Sequence, residues 1–186
     1  PSGADIPRHL YIIIGITSWL IFSDGVTKPT TSIVRYKQYF LRQEISLGEL
    51  LTAWIPERLV EAVLQIIFCL SLVSLEFRIG LEGLATYLLI ILAGAILFNL
   101  LGMIFAIISL IWPGSTNLIN TANRFLIFLS AVIFPIPDGE ITGYLKIMNP
   151  YYVFIDSARL ALVNHEVNWQ ILMVWVGVAV FVALFL

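Results

Sequence analysis

Cysteine occurs once in this sequence, as Cys69 inside an apolar run. A single thiol closes no disulfide within the chain and builds no cysteine cage for a metal. Histidine is almost as scarce. His9 and His165 lie far apart with no partner cluster, so neither reads as a metal ligand, and both read as exposed loop residues. Charge is short as well: Asp, Glu, Lys and Arg make up 12% of 186 residues, where a soluble domain carries roughly a quarter. No basic tract points to nucleic acid, and a formal net charge of −2 says little about partners. The phosphate-cradling loop Gly-x-x-x-x-Gly-Lys-Ser/Thr is missing, so the chain is not expected to hydrolyse ATP. No catalytic constellation, internal repeat or low-complexity tract stands out. A basic segment before the first apolar stretch is lacking too, so no signal peptide is visible. Pro1 and Leu186 read as cuts in a longer protein.

Apolar residues fill the space these shortages leave, at 60% of the sequence with a mean hydropathy of +0.96. Such a chain cannot cover itself with polar groups, so the expectation is an all-α, polytopic membrane helix bundle spanning residues 1–186. The unit to count is an apolar segment of about 20 residues.

The first apolar stretch, Leu10 to Phe22, is too short to span alone. It is expected to continue as helix to about Val34, with Ser23, Asp24, Thr27, Thr30 and Thr31 facing other helices and Pro29 kinking it. Arg35 to Glu49 follows as a polar, amphipathic connection, in which Ser46 and Glu49 have the spacing of a capping box. The second span is Leu50 to Leu75, where Arg58 and Glu61 are placed to pair on one helix face. Gly83 to Trp112 has no charged residue and reads as the clearest span; Gly94 and Gly102 in it would permit close helix approach. Asn117 to Pro135 is the fourth span, with Arg124 inside. Between 138 and 165 the chain is apolar enough for burial, yet carries Lys146, Asn149, Pro150, Asp156 and Arg159. Asn149 suits an N-cap and Pro150 the first helical position. Tyr151, Phe154, Ile155, Ala158 and Leu162 then share one face. The region reads as two short re-entrant helices. Val167 to Leu186 is the last of five crossings.

Lys28, Arg35, Lys37 and Arg42 cluster in one connection, which the positive-inside rule assigns to the cytoplasm. The re-entrant region then lies outside, and Arg8 on that outer side is the exception.

The order of these pieces resembles the membrane-spanning permeases of ABC-2 type exporters, especially those for capsule and O-antigen polysaccharides. Gly15-Ile-Thr-Ser-Trp-Leu-Ile-Phe-Ser23 looks like the family's Gly-x-x-x-Trp-x-x-Phe segment. Ser109-Leu-Ile-Trp-Pro113 looks like the cytoplasmic turn after its fourth span. Arg124-Phe-Leu-Ile-Phe-Leu-Ser-Ala-Val-Ile-Phe-Pro135 looks like its fifth span, which ends in Ser-x-Val-x-x-Pro. Asn149-Pro150 followed by Arg159 resembles its re-entrant helices. The connection lacks the Phe-Pro frequent in O-antigen exporters, and its Arg42-Gln43 is closer to the capsule exporters. The Arg-Asp pair common after the fourth span is absent. The family's first span and N-terminal interfacial helix are missing from this sequence.

The resemblance implies a permease subunit of the inner membrane that exports a lipid-linked polysaccharide. Its partners would be a separate ATP-binding subunit holding ATP and Mg, and a second permease copy. No cofactor is expected on this chain. Tyr36, Tyr39, Phe40, Leu41, Arg42 and Glu44 would touch the ATPase; the plain alternative is an interfacial helix lying in headgroups. Arg124, with Asn120 on the same face, would meet an anionic lipid-linked sugar; the alternatives are snorkelling or an interhelical pair. Tyr144, Tyr151, Tyr152 and Trp169 would stack on sugar rings at the outer exit, or form the aromatic belt. Asn149 and Arg159 complete the expected pathway. Two further functions fit the pattern: export of a drug or lipid, and a membrane-embedded glycosyl-transfer enzyme drawing on Asp24, Glu57 and Glu61.

Overall fold

The computed structural model describes residues 7–42, 46, 49, 54–112, 114–136, 139–163 and 167–183. Among them every regular element is helical: α1 (Arg8–Leu41), α2 (Ile55–Ser74), α3 (Leu81–Ile111), α4 (Ser115–Leu129), α5 (Glu140–Met148), α6 (Pro150–Val163) and α7 (Trp169–Ala183). Two of them, α1 over Arg8–Tyr39 and α3 over Leu81–Ile111, are long and apolar enough to cross a membrane. The remaining expected spans fall short for separate reasons. Glu57, Arg58 and Glu61 charge the start of α2. At 15 residues, α4 extends only about 22 Å, less than the ~30 Å hydrocarbon core, while α7 is an apolar helix described as far as Ala183.

The centre of the bundle is the contact of α1 with α3, and glycine makes it close. A Cβ on Gly102 would fall inside the Gly25 carbonyl, and one on Gly94 would sit 2.6 Å from Phe22 Cε1. Backbones that approach this closely gain dispersion contacts, the main source of association between apolar helices in lipid. Phe22 stacks on Phe98 at 5.1 Å between ring centres, and Phe154 of α6 meets both edge-on. The helix α6 is buried nearly all round, well beyond the single face that its sequence pattern picks out. It lies against α1, α3 and α7. Asn149 caps it as expected: its Oδ1 accepts from the Tyr151 N–H at 3.0 Å, and Pro150 fills the first turn.

Three expectations need correction. The first helix does not end near Val34. It runs unbroken through Pro29 to Leu41, so Tyr36 to Leu41 extend α1 and form no separate element. Val34-Arg35-Tyr36-Lys37 holds no glycine, proline or capping residue that would stop a helix, and Lys37 Nζ, donating to Leu110 O at 3.1 Å, ties the extension to the end of α3. The fourth helix stops at Leu129, short of Pro135: Ala131 turns to a positive φ of 52°, and the carbonyls of Ala131 and Val132 accept from side chains of α1 and α6. Arg58 and Glu61 do not pair with each other; each reaches across to α1. His9 lies in the first turn of α1, and its Nε2 is 2.6 Å from Glu76 Oε1. His165 falls outside the described residues.

Candidate functional site

Polar side chains inside the bundle collect along one seam where α1, α2, α4 and α6 meet. Asn123 is its hub. Its amide donates to Ser23 Oγ at 2.7 Å, and its Oδ1 accepts from the Tyr151 hydroxyl. One turn of α1 beside this hub, Asp24 Oδ2 faces Arg58 Nη1 at 3.7 Å. Lys28, a turn further along, bonds to Glu61 and sits 3.4 Å from Glu57. Asp24, Lys28 and Thr31 recur at helical spacing, which is why one face of α1 carries them. Asp24 lies about 24 Å along the axis from Arg8, near the middle of the helix. Arg58 is 4% exposed, and its Nη2 has no partner among the described residues. Asp24, Glu57 and Glu61 are thus engaged by cations of the neighbouring helix.

A second node lies at the other end of the seam. Arg159 is 1% exposed, the largest fully buried side chain described. Its Nε donates to Tyr11 O at 3.1 Å and its Nη2 to Val132 O at 2.9 Å, while the guanidinium lies 3.6 Å from the centre of the Tyr11 ring. The Tyr11 hydroxyl donates to Ala131 O at 2.9 Å. One cation therefore joins the start of α1, the unwound end of α4 and the middle of α6. Gly15 makes room, because a Cβ there would overlap the guanidinium.

The expected pathway residues divide by position. Arg124, expected in the pathway, is exposed on the outer face of α4, and the cations buried inside the bundle are Arg58 and Arg159. Helical spacing explains the difference: Asn123 takes the inward position and turns its neighbour out. Asn117, Thr121 and Arg124 form one exposed polar face. Asn120 is half-buried beside it, 3.5 Å from Thr30 Oγ1. Tyr151 does not offer its ring at an exit; it is buried, its ring centre 4.1 Å from that of Phe98 and tilted by 35°. Tyr152 is half-buried with Lys146 Nζ 5.9 Å from its ring centre, and Tyr144 is 75% exposed. Trp169 is exposed. Asn149 donates to Leu129 O at 2.9 Å, so it links α4 to α6.

Of the expected ATPase-contact residues, Tyr36, Tyr39, Leu41 and Arg42 are exposed at the end of α1, with the Tyr36 and Tyr39 rings 6.4 Å apart. Phe40 lies on the same helix, and Glu44 is outside the described residues. Further on, Ser46 N donates to Glu49 Oε2 at 2.7 Å and Glu49 N to Ser46 Oγ at 3.2 Å, the reciprocal pair expected from their spacing. These donors hold the Glu49 carboxyl below its ordinary pKa.

Sequence pattern turned Ser23 toward other helices and gave Arg58 to Glu61, but it did not bring either of them together with Asn123 or Asp24. The available signal was charge complementarity: Asp24 and Arg58 are opposite charges set in two consecutive apolar stretches. No cluster of three or more metal-ligating side chains occurs among the described residues. No protein-family model matches the sequence, and no curated protein is significantly similar to it.

Proposed function

We propose that this chain is a permease subunit of an ABC-2 type exporter, and that its pathway carries a lipid-linked polysaccharide. The observation that carries this reading is the outer face of α4. Asn117, Thr121 and Arg124 are exposed there, on a bundle whose other exposed side chains include many large apolar ones. Arg124 is about 14 Å along the helix from Ser115, near mid-depth for a helix that starts at the inner face. A cation at that depth is costly against hydrocarbon, and such residues ordinarily face water or another protein surface. Two copies that present this face to each other would enclose a polar route between them. In the same reading the positive-inside rule sets Lys37 and Arg42 at the cytoplasmic face, so Tyr36, Tyr39 and Leu41 are available to a separate ATPase. Because these residues belong to α1, a push on them would act on the helix that also holds Asp24 and Gly25.

Co-expression with an ABC ATP-binding subunit from the same gene neighbourhood tests the reading. A stable complex is expected. Its ATP turnover in proteoliposomes should fall at least fivefold in Tyr39→Ala/Leu41→Ala. Arg124→Leu should leave assembly intact and abolish export of lipid-linked glycan. Failure of the two chains to associate, or unimpaired export by Arg124→Leu, would sink it.

A further inference from the structure

A cavity of about 780 Å³ opens between α3 and α4 and is closed at one end by α5 and α6. Phe98, Leu101 and Phe105 of α3 form one wall; Leu118, Ala122 and Leu126 of α4 form the other. Its size is that of a site for a small amphiphile. None of its lining residues is charged, and four carry polar side chains: Asn123, Thr142, Asn149 and Tyr151.

All four are already occupied. Asn123 is bonded on both sides, to Ser23 and to Tyr151. Asn149 donates to Leu129 O and Ser130 Oγ and accepts from the Tyr151 N–H. The Thr142 hydroxyl donates to Gly139 O at 3.0 Å. The walls therefore offer an occupant no charge and no donor hydrogen from the Thr142 and Tyr151 hydroxyls, which leaves a few hydroxyl and carbonyl acceptors on an otherwise apolar lining. Water would find too few partners here. A protein partner ordinarily makes about one hydrogen bond for each 100–200 Å² of interface, and this wall has little to give beyond the acceptor side of two hydroxyls. A hydrocarbon chain needs none. An unfilled space of this size would instead deprive its lining of dispersion contacts. The mouth is apolar as well, with Leu118, Phe128, Leu129 and Met148 all more than half exposed.

We propose that this cavity holds an acyl chain of a bilayer phospholipid, wedged between α3 and α4 beneath the α5–α6 hairpin. The proposal requires that the bundle sit in a membrane and is independent of what the protein exports. A lipid chain in this position completes the packing of α4 and supports the Asn123–Tyr151 bond from its apolar side.

The test is photolabelling of the whole protein in phosphatidylcholine vesicles that contain a lipid with a diazirine on one acyl chain. Peptides carrying Phe105, Ala122 and Leu126 should be labelled at least fivefold more than those carrying Leu64 and Phe68 on the outer face of α2. Ala122→Trp should remove most of that excess and leave the α2 labelling unchanged. Ala122→Leu, a milder filling, should reduce it partly, with gel-filtration profiles confirming that both variants fold. Equal labelling of cavity and α2 would overturn the proposal. So would protection of the cavity accompanied by disulfide cross-linking between copies in Leu118→Cys, which would show a second chain in its place.

Discussion

Ala131 is the one non-glycine residue with a positive φ, at 52°, among those described. An L side chain in this region costs about 1–2 kcal/mol. What holds it there is the pair of bonds that follow: Tyr11 takes the Ala131 carbonyl and Arg159 the next one. Both donors come from buried side chains, so leaving either unmade would cost as much as the strain. Gly15 belongs to the same arrangement through its missing Cβ. Gly15→Ala should destabilise the protein by about 1–3 kcal/mol, the usual penalty for overpacking. Thermal unfolding in detergent measures this, and Arg159→Lys, which lacks the forked nitrogen in conflict, should return part of the loss in the double variant.

At the scale of elements, α2 is held by charge as well as by packing: Cys69 and Val73 are buried in the core, while Leu59, Val60, Val63, Leu64, Ile67 and Phe68 all point away from the bundle. Asp24→Ala would leave Arg58 buried without its partner. The expected cost is about 3–5 kcal/mol, while joint replacement of both residues by Leu and Met should cost far less. Unfolding of single and double variants separates the two outcomes. The capping box at Ser46 and Glu49 responds to pH in a known direction. Its carboxyl has a lowered pKa in the folded state. The stabilisation is therefore complete above the ordinary glutamate value of about 4.3 and is lost as pH falls through the lower folded value. Protection of the Ser46 amide relative to its intrinsic exchange rate should fall over that acid range in the native chain, and Glu49→Gln should show no such step.

For the whole molecule, the distribution of exposed side chains decides the surroundings. The apolar outer face of α2 and the exposed Asn117, Thr121 and Arg124 of α4 cannot both be content in one solvent. If lipid covers α2, then Leu64→Arg should impair membrane insertion by about 2.5–3.5 kcal/mol, read as the inserted fraction in a translocon assay. Removing the charge at Arg124 should leave insertion no worse. Equal effects at both positions would mean that the two faces share one environment.

Much of the helical layout was legible in the residues themselves. The absence of charge from Gly83 to Trp112, the Asn149-Pro150 cap, the Ser46–Glu49 spacing and the two α3 glycines each reflect a local rule or a short-range pattern, and local rules survive folding. The candidate site was only partly legible. Arg124 and Arg159 look alike in a one-dimensional profile, as cations in apolar stretches, yet one is exposed and the other buried. Which of them turns inward depends on helix rotation and on neighbours more than a hundred residues away, such as Tyr11 for Arg159. The same holds for the end of α4, where Pro135 marked a plausible stop and the helix ends earlier, at a turn whose carbonyls bond to Tyr11 and Arg159. By itself the sequence determined that the chain is helical and predominantly apolar, because composition and periodicity act residue by residue. Tertiary structure alone decided that Asp24 meets Arg58, that Asn123 bridges Ser23 and Tyr151, and that a cavity remains between α3 and α4, because each depends on side chains brought together from separate helices.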